Sequence, residues 1–213
     1  MSLLMDKRVE KISSARDAIE IRILDSATQV FAESGFHGSS LAGIAECAGI
    51  SKQNLLYYFA NKQVLYQKVL DQILDQWLER MDFLATSDEE PEQLLRQYIH
   101  AKLRFSKEQP QASRVYAMEV IGGAAVYSQQ MREKILPLFK KDIATFEKWI
   151  AAGKIKAVNA THLLFSIWAM TQSYADFATQ MNLVLAQESL SEQDFDDAEE
   201  FIVSMVLHRL RAS

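Results

Sequence analysis

One cysteine (Cys47), three prolines and seven glycines are all that 213 residues contain of the residue types that usually lock, break or sharply turn a chain. A lone thiol excludes an intramolecular disulfide framework and a multi-cysteine zinc site, and it fits a reducing cytoplasm best. So little glycine and proline disfavours a β-rich fold, which needs a tight turn at each hairpin. No window approaches the run of about 18 uninterrupted apolar residues that a membrane span requires, and the N-terminus has no apolar stretch of the signal-peptide kind. Catalytic motifs are missing as well. There is no phosphate-cradling glycine loop, no His-Glu-x-x-His, no Gly-x-Ser-x-Gly, and no His or second Cys near Cys47. Neither enzymatic activity nor a cofactor or metal is therefore expected. What remains is 49% hydrophobic and 24% charged, with a net charge of −5: a globular chain long enough to bury a sizeable core.

Nearly every stretch carries helical period, and the expected fold class is all-α with about nine helices. In the first, Ile12, Ala15, Ile19, Ile23, Ala27, Val30 and Phe31 fall three or four apart, and Gly35 stops it. Met1 to Lys11 is polar and expected to fray. Ser40, Ser51, Asn61 and Asn159 are placed to cap helices, as are Ser191 and Asp194 in a capping-box spacing. Pro91 and Pro110 are placed to open helices. Pro137 should kink the run Tyr127–Ala152. The apolar stretch after Asn159 reads as one helix to about Leu185, and the last helix ends near Leu210.

The segment from Ser40 to Phe59 holds two short helices about the turn Cys47-Ala48-Gly49-Ile50-Ser51, the layout of a helix-turn-helix. Ile44, Ala45, Leu55 and Phe59 are spaced to bury one face of each. The other face of the second helix keeps Lys52, Gln53, Asn54, Tyr57 and Tyr58, a mixture suited to base edges and phosphates in a major groove. An overall acidic chain argues against nucleic acid, but its charge is unevenly placed. Residues 1–70 hold eight basic and seven acidic side chains, and no acid lies between Glu46 and Asp71, whereas Lys52, Lys62 and Lys68 do. The remaining residues carry the deficit, at −6.

The run Phe36-His37-Gly38, Leu41-Ala42-Gly43-Ile44-Ala45, Ala48-Gly49-Ile50-Ser51-Lys52, Leu55-Leu56-Tyr57-Tyr58-Phe59, then Lys62 and Leu65, resembles the TetR family of one-component regulators over about residues 15–70. The resemblance implies a helix-turn-helix DNA-binding domain at 12–60, a ligand-binding and dimerisation domain at 61–213, double-stranded operator DNA as partner, and repression relieved or retuned by a small molecule. Gln53 and Asn54 occupy positions from which the family commonly contacts DNA. Ser39, Ser40, Lys52, Tyr58 and Lys62 are natural phosphate contacts. One of Tyr57 and Tyr58 is expected to pack with only its hydroxyl outside, Tyr57 more readily than Tyr58. The helix from Lys62 past Trp77 forms a rod about 22 Å long between those two residues.

Further along, Gln72-Ile73-Leu74-Asp75-x-Trp77-Leu78, Pro110-Gln111-Ala112-Ser113-Arg114, Met118-Glu119 and Ile167-Trp168-Ala169-x-Thr171-Gln172-x-Tyr174-Ala175-Asp176 resemble the branch of that family which regulates pyrimidine utilisation. The resemblance implies that Trp77 and Gln172 hold a uracil-like ring, with Glu119, Trp168 and Asp176 as further ligand candidates. By pattern alone Trp77 is also a core residue, Trp168 and Tyr174 also pack, Gln172 and Asp176 also satisfy each other, and Glu119 also reads as a core acid paired with Arg114. Leu164, Trp168, Phe201 and Met205 on the last helices are expected in a homodimer interface. A helical dimeric adaptor without DNA function is the alternative.

Overall fold

The computed structural model describes residues 2–87 and 89–211, and the side chains of these apart from residues 2–15 and 85. Met1, part of the segment expected to fray, lies outside the described residues. Among the described residues ten α-helices follow one another: α1 Ser2–Gly38, α2 Leu41–Cys47, α3 Lys52–Tyr58, α4 Lys62–Met81, α5 Pro91–Glu108, α6 Pro110–Ile121, α7 Ser128–Ala151, α8 Ala160–Asp176, α9 Ala178–Leu185 and α10 Glu192–Leu210. A 3₁₀ turn, Asp82–Ala85, extends α4. Helix α1 thus starts at Ser2 rather than near Ile12.

The capping residues stand where the sequence put them. The side chains of Ser40, Ser51, Asn61 and Asn159 accept the backbone N–H of Gly43, Asn54, Val64 and His162. Each satisfies a donor that the first helical turn leaves without a partner. Ser191 and Asp194 close a reciprocal capping box. Gly35 sits at φ 67°, ψ 173°, where a side chain would be strained, and breaks α1 where the sequence stops it. Pro137 lies inside α7 without ending it. One boundary differs. The stretch after Asn159 is two helices, because the backbone leaves helical geometry at Phe177 (φ −112°, ψ 18°).

Two apolar clusters organise the molecule. The first joins α1, α2 and α3 to α4 and continues through Phe105, Ala112 and Val115 of α5 and α6 and Tyr127 just before α7. The second is built on α5, which packs against both α8 and α10. Helices α4 and α6 bridge the two regions. Helix α6 packs on α1 on one side and α8 on the other, and α4 touches α1, α5 and α6. No described helix is long and apolar enough to cross a membrane.

Candidate DNA-reading head and effector cavity

The turn between α2 and α3 closes because Gly49 takes φ 64°, while Ala48 is small enough to bury completely at the corner. Ile44, Ala45, Leu55 and Phe59 are buried beneath it. Helix α3 therefore points Lys52, Gln53 and Asn54 outwards, all exposed, with Tyr57 beside them at 69% exposure. Tyr58 is the ring that packs, half-buried against the core of the head, the reverse of the order expected for this pair. The two rings meet edge to face at 5.4 Å, and the guanidinium of Arg16 lies 5.8 and 6.0 Å from their centroids. This brings a cation from α1 to the same end of the reading helix.

Two expected phosphate contacts are otherwise engaged. Ser39 is buried, and its hydroxyl donates to the carbonyl of Phe36 at 2.9 Å. Lys62 donates to the carbonyls of Phe36 and Ser39 at 2.5 and 2.8 Å, with its ammonium 4.6 Å from the Phe36 ring centroid. Lys62 is a clasp that pins the end of α1 to the start of α4. Ser40 is exposed, but its side-chain oxygen caps α2.

About 15 residues along α4 lies a small cavity of about 70 Å³. Ile73, Leu74 and Trp77 of α4, Lys102, Phe105 and Ser106 of α5, Ser113 and Tyr116 of α6, Ile135 of α7, and Trp168, Thr171 and Gln172 of α8 line it. The indoles of Trp77 and Trp168 meet edge to face at 5.7 Å. Trp168 Nε1 donates to the Tyr98 hydroxyl at 2.7 Å, which fixes its ring as one wall. Burial drives the Tyr116 phenol up to about 12.

Trp77, Trp168 and Gln172 are thus brought together around one space. Asp176 stands behind it: its carboxylate accepts from Ser113 at 2.8 Å and from the Gln172 amide, holding two wall residues in place. Burial raises its pKa, and these hydrogen bonds with the charge of Arg114 counter the rise. Glu119 is not at the cavity. It is buried, and its carboxylate accepts the N–H groups of Val126 and Tyr127 at 2.8 and 3.0 Å, with the Tyr66 hydroxyl also bonded to it. It stitches the loop after α6 rather than pairing with Arg114.

Lys102 joins the cavity with no sequence motif to announce it. It is 3% exposed, and its Nζ lies 4.4, 5.6 and 5.9 Å from the ring centroids of Trp77, Trp168 and Tyr98. Burial pulls its pKa down to about 7. A signal was present in the spacing: Lys102 falls on the apolar stripe of α5, one turn after Tyr98 and one residue before Leu103.

Of the interface candidates, Leu164 is wholly buried within the chain, and Trp168 is half-buried with its ring walling the cavity. Phe201 and Met205 are exposed at 64% and 47%. Phe177, Leu183 and Val184, at and after the unexpected helix break, are exposed as well.

A helix-turn-helix head with an acid-free reading helix, joined by a continuous rod to a helical body with an internal cavity, defines a ligand-binding transcriptional regulator. The chain belongs to the TetR family: residues 23–69 match the model for bacterial regulatory proteins of the tetR family. Residues 70–213 match the C-terminal region of YcdC-like proteins. It is 38% identical over 205 residues to the HTH-type transcriptional regulator RutR of Escherichia coli K12, covering 96% of each chain. The fold is also similar to that of the ketosteroid transcriptional regulator KstR2 of Mycobacterium tuberculosis (TM-score 0.74, 17% identity, 91% and 95% of the two chains). AibR, solved with isovaleryl coenzyme A and operator DNA, superimposes with TM-score 0.67 at 16% identity over 88% and 97% of the chains. Regulators of this family bind operator DNA and small-molecule effectors and act as dimers. The chain is accordingly a DNA-binding transcriptional regulator and not an enzyme.

Proposed function

We propose that this regulator represses transcription in the cytoplasm as a homodimer, and that a pyrimidine or related planar heterocycle seated between Trp77, Trp168 and Gln172 releases or retunes its grip on DNA. The observation that carries the reading is the position of the cavity on two helices that also reach the head. Helix α4 presents Trp77 to the cavity and Lys62 to the α1–α2 corner. Helix α6 presents Ser113 and Tyr116 to the cavity, while Ala112 and Val115 pack in the cluster that contains α1. A ligand that fits one tilt of these helices better than another shifts the population by its differential affinity. In a dimer, tilt changes the separation of two reading helices, which must match half-sites about 34–36 Å apart or a multiple of that.

Within the cavity, indole offers a flat face, and the Gln172 amide offers a donor and an acceptor to a cyclic imide. On the head, Gln53 and Asn54 read base edges, while Lys52, Tyr57 and Ser40 border the phosphates. Phe201 and Met205 of α10, with Phe177 and Val184, supply the dimer surface. Calorimetric titration with uracil and thymine tests the effector, and the absence of heat with either would overturn that part. A gel shift on DNA flanking the gene, run across a salt series, tests the operator: sequence-selective binding with a steep salt slope is expected.

A further inference from the structure

The cavity is apolar except for a few polar groups, and most of those are already committed. The hydroxyls of Ser106 and Thr171 donate to the carbonyls of Thr171 and Ile167, and Ser113 donates to Asp176. Lys102 differs. It is the one charged side chain lining the cavity, and among the described residues its ammonium has neither a carboxylate nor a hydrogen-bond acceptor. Asp142 of α7 is buried near Tyr98 with Oδ1 unpartnered, and burial raises its pKa to about 7, so it gives Lys102 little counter-charge; the others are engaged elsewhere. Asp176 of α8 is held by Ser113 and Gln172. Glu192 and Glu199 of α10 pair with Arg104, Lys107 and His100 on another face of α5.

Three aromatic faces offset part of the cost of burying the cation, yet none supplies a full counter-charge or a lone pair in line with an N–H. A buried charge left in this state is destabilising, and it is worth keeping only where something arrives to pair with it. We propose that the effector is a planar anion, and that Lys102 receives its negative charge while Trp77 and Trp168 wall the ring. This deepens the reading of the cavity as the effector site and rests on it. Gln172 then reads the pattern of ring donors and acceptors, and Lys102 reads charge. With burial bringing its pKa down to about 7, Lys102 is held only part charged near neutrality, and an incoming anion completes the ion pair.

The test compares three probes of similar shape by calorimetry and by quenching of tryptophan emission: uracil, which is neutral at pH 7; barbiturate, its anionic analogue; and benzoate, a planar anion without an imide. The wild-type protein should bind barbiturate about tenfold or more tighter than uracil, as expected for a charge-assisted hydrogen bond. Lys102→Met should erase that preference and melt no lower than wild type. The preference is read in the wild-type protein alone should the variant fail to fold. Equal affinity for uracil and barbiturate would overturn the charge inference while leaving the pyrimidine reading intact. Benzoate binding that depends on Lys102, with neither pyrimidine bound, would uphold the charge inference and overturn the pyrimidine reading. No binding by any probe would overturn both.

Discussion

Lys52 and Lys62 both stand in the DNA-binding head, but they differ in what their ammonium groups already hold. Lys52 is exposed at the start of α3, whereas Lys62 donates to two backbone carbonyls of the α1–α2 corner. Lys52→Ala should therefore weaken binding to all DNA sequences and lower the salt slope by about one, with an unchanged melting temperature. Lys62→Met should cost about 1–3 kcal/mol of stability, because it leaves the carbonyls of Phe36 and Ser39 without their donor. Loss of DNA affinity would follow from a loosened head. Thermal melting beside fluorescence anisotropy across a salt series separates the two, and an unchanged melt for Lys62→Met would contradict the clasp. Asn54→Ala should relax discrimination among operator variants rather than weaken every site alike, checked by competition with single-base changes. Residue type and spacing made the exposed face of α3 legible, since only a short amphipathic helix was involved. They did not reveal that Lys62 bonds across 26 positions to Phe36, or that Glu119 serves the loop at Val126 and Tyr127. Both are tertiary hydrogen bonds with no local period. Lys102 was legible only as an anomaly, a cation on an apolar stripe, and its meaning came from rings on two other helices.

At the level of elements, the capped starts of α2, α3, α4, α8 and α10 were the most readable features, because each is decided by one side chain and the backbone N–H three positions on. Ends and internal breaks depend on packing. The break at Phe177 has no glycine or proline to announce it, and it turns α9 so that Leu183 and Val184 are exposed instead of continuing the buried face of α8. Helix α9 closes on Ala186 at φ 54°, a left-handed residue that carries a Cβ. Glycine is free of that penalty, so Ala186→Gly should stabilise the protein by about 0.5–1 kcal/mol. Ser191→Ala, which removes one arm of the α10 capping box, should cost about 1 kcal/mol. Chemical denaturation with a shared m-value reads both changes. A destabilised Ala186→Gly would show that α9 is held by its neighbours in a way the cap does not express.

For the whole molecule, the net charge of −5 divides into −6 on the body and +1 on residues 1–70, and the head is free to meet an anion. Exposed apolar side chains gather on α9 and α10, among them Leu183, Val184, Phe201 and Met205. Phe201→Glu should yield a monomer by light scattering at micromolar concentration and abolish operator binding, since one head spans one half-site; a dimeric Phe201→Glu would move the interface elsewhere. Stability against pH carries a second signature of the body, set by two buried groups of opposite sign. Burial, helped by the charge of Asp82, raises the Asp142 carboxyl from 3.8 to about 7. Burial lowers Lys102 from 10.5 to about 7. Between pH 4 and 7 the folded protein keeps a proton on Asp142 that the unfolded chain has released, so this group makes stability fall as pH rises. Between pH 7 and about 10 the unfolded chain keeps a proton on Lys102 that the folded protein has released, so that group makes stability rise. Together they place a shallow minimum near neutrality in the difference between wild type and a doubly neutralised variant. Asp142→Asn should remove the acid-side slope alone and Lys102→Met the alkaline-side slope alone, measured by denaturant unfolding from pH 5 to 9. The two slopes should also respond differently to a bound planar anion: it pairs with Lys102 and holds its proton to higher pH, flattening the alkaline rise, while the slope due to Asp142, which does not line the cavity, stays as it was.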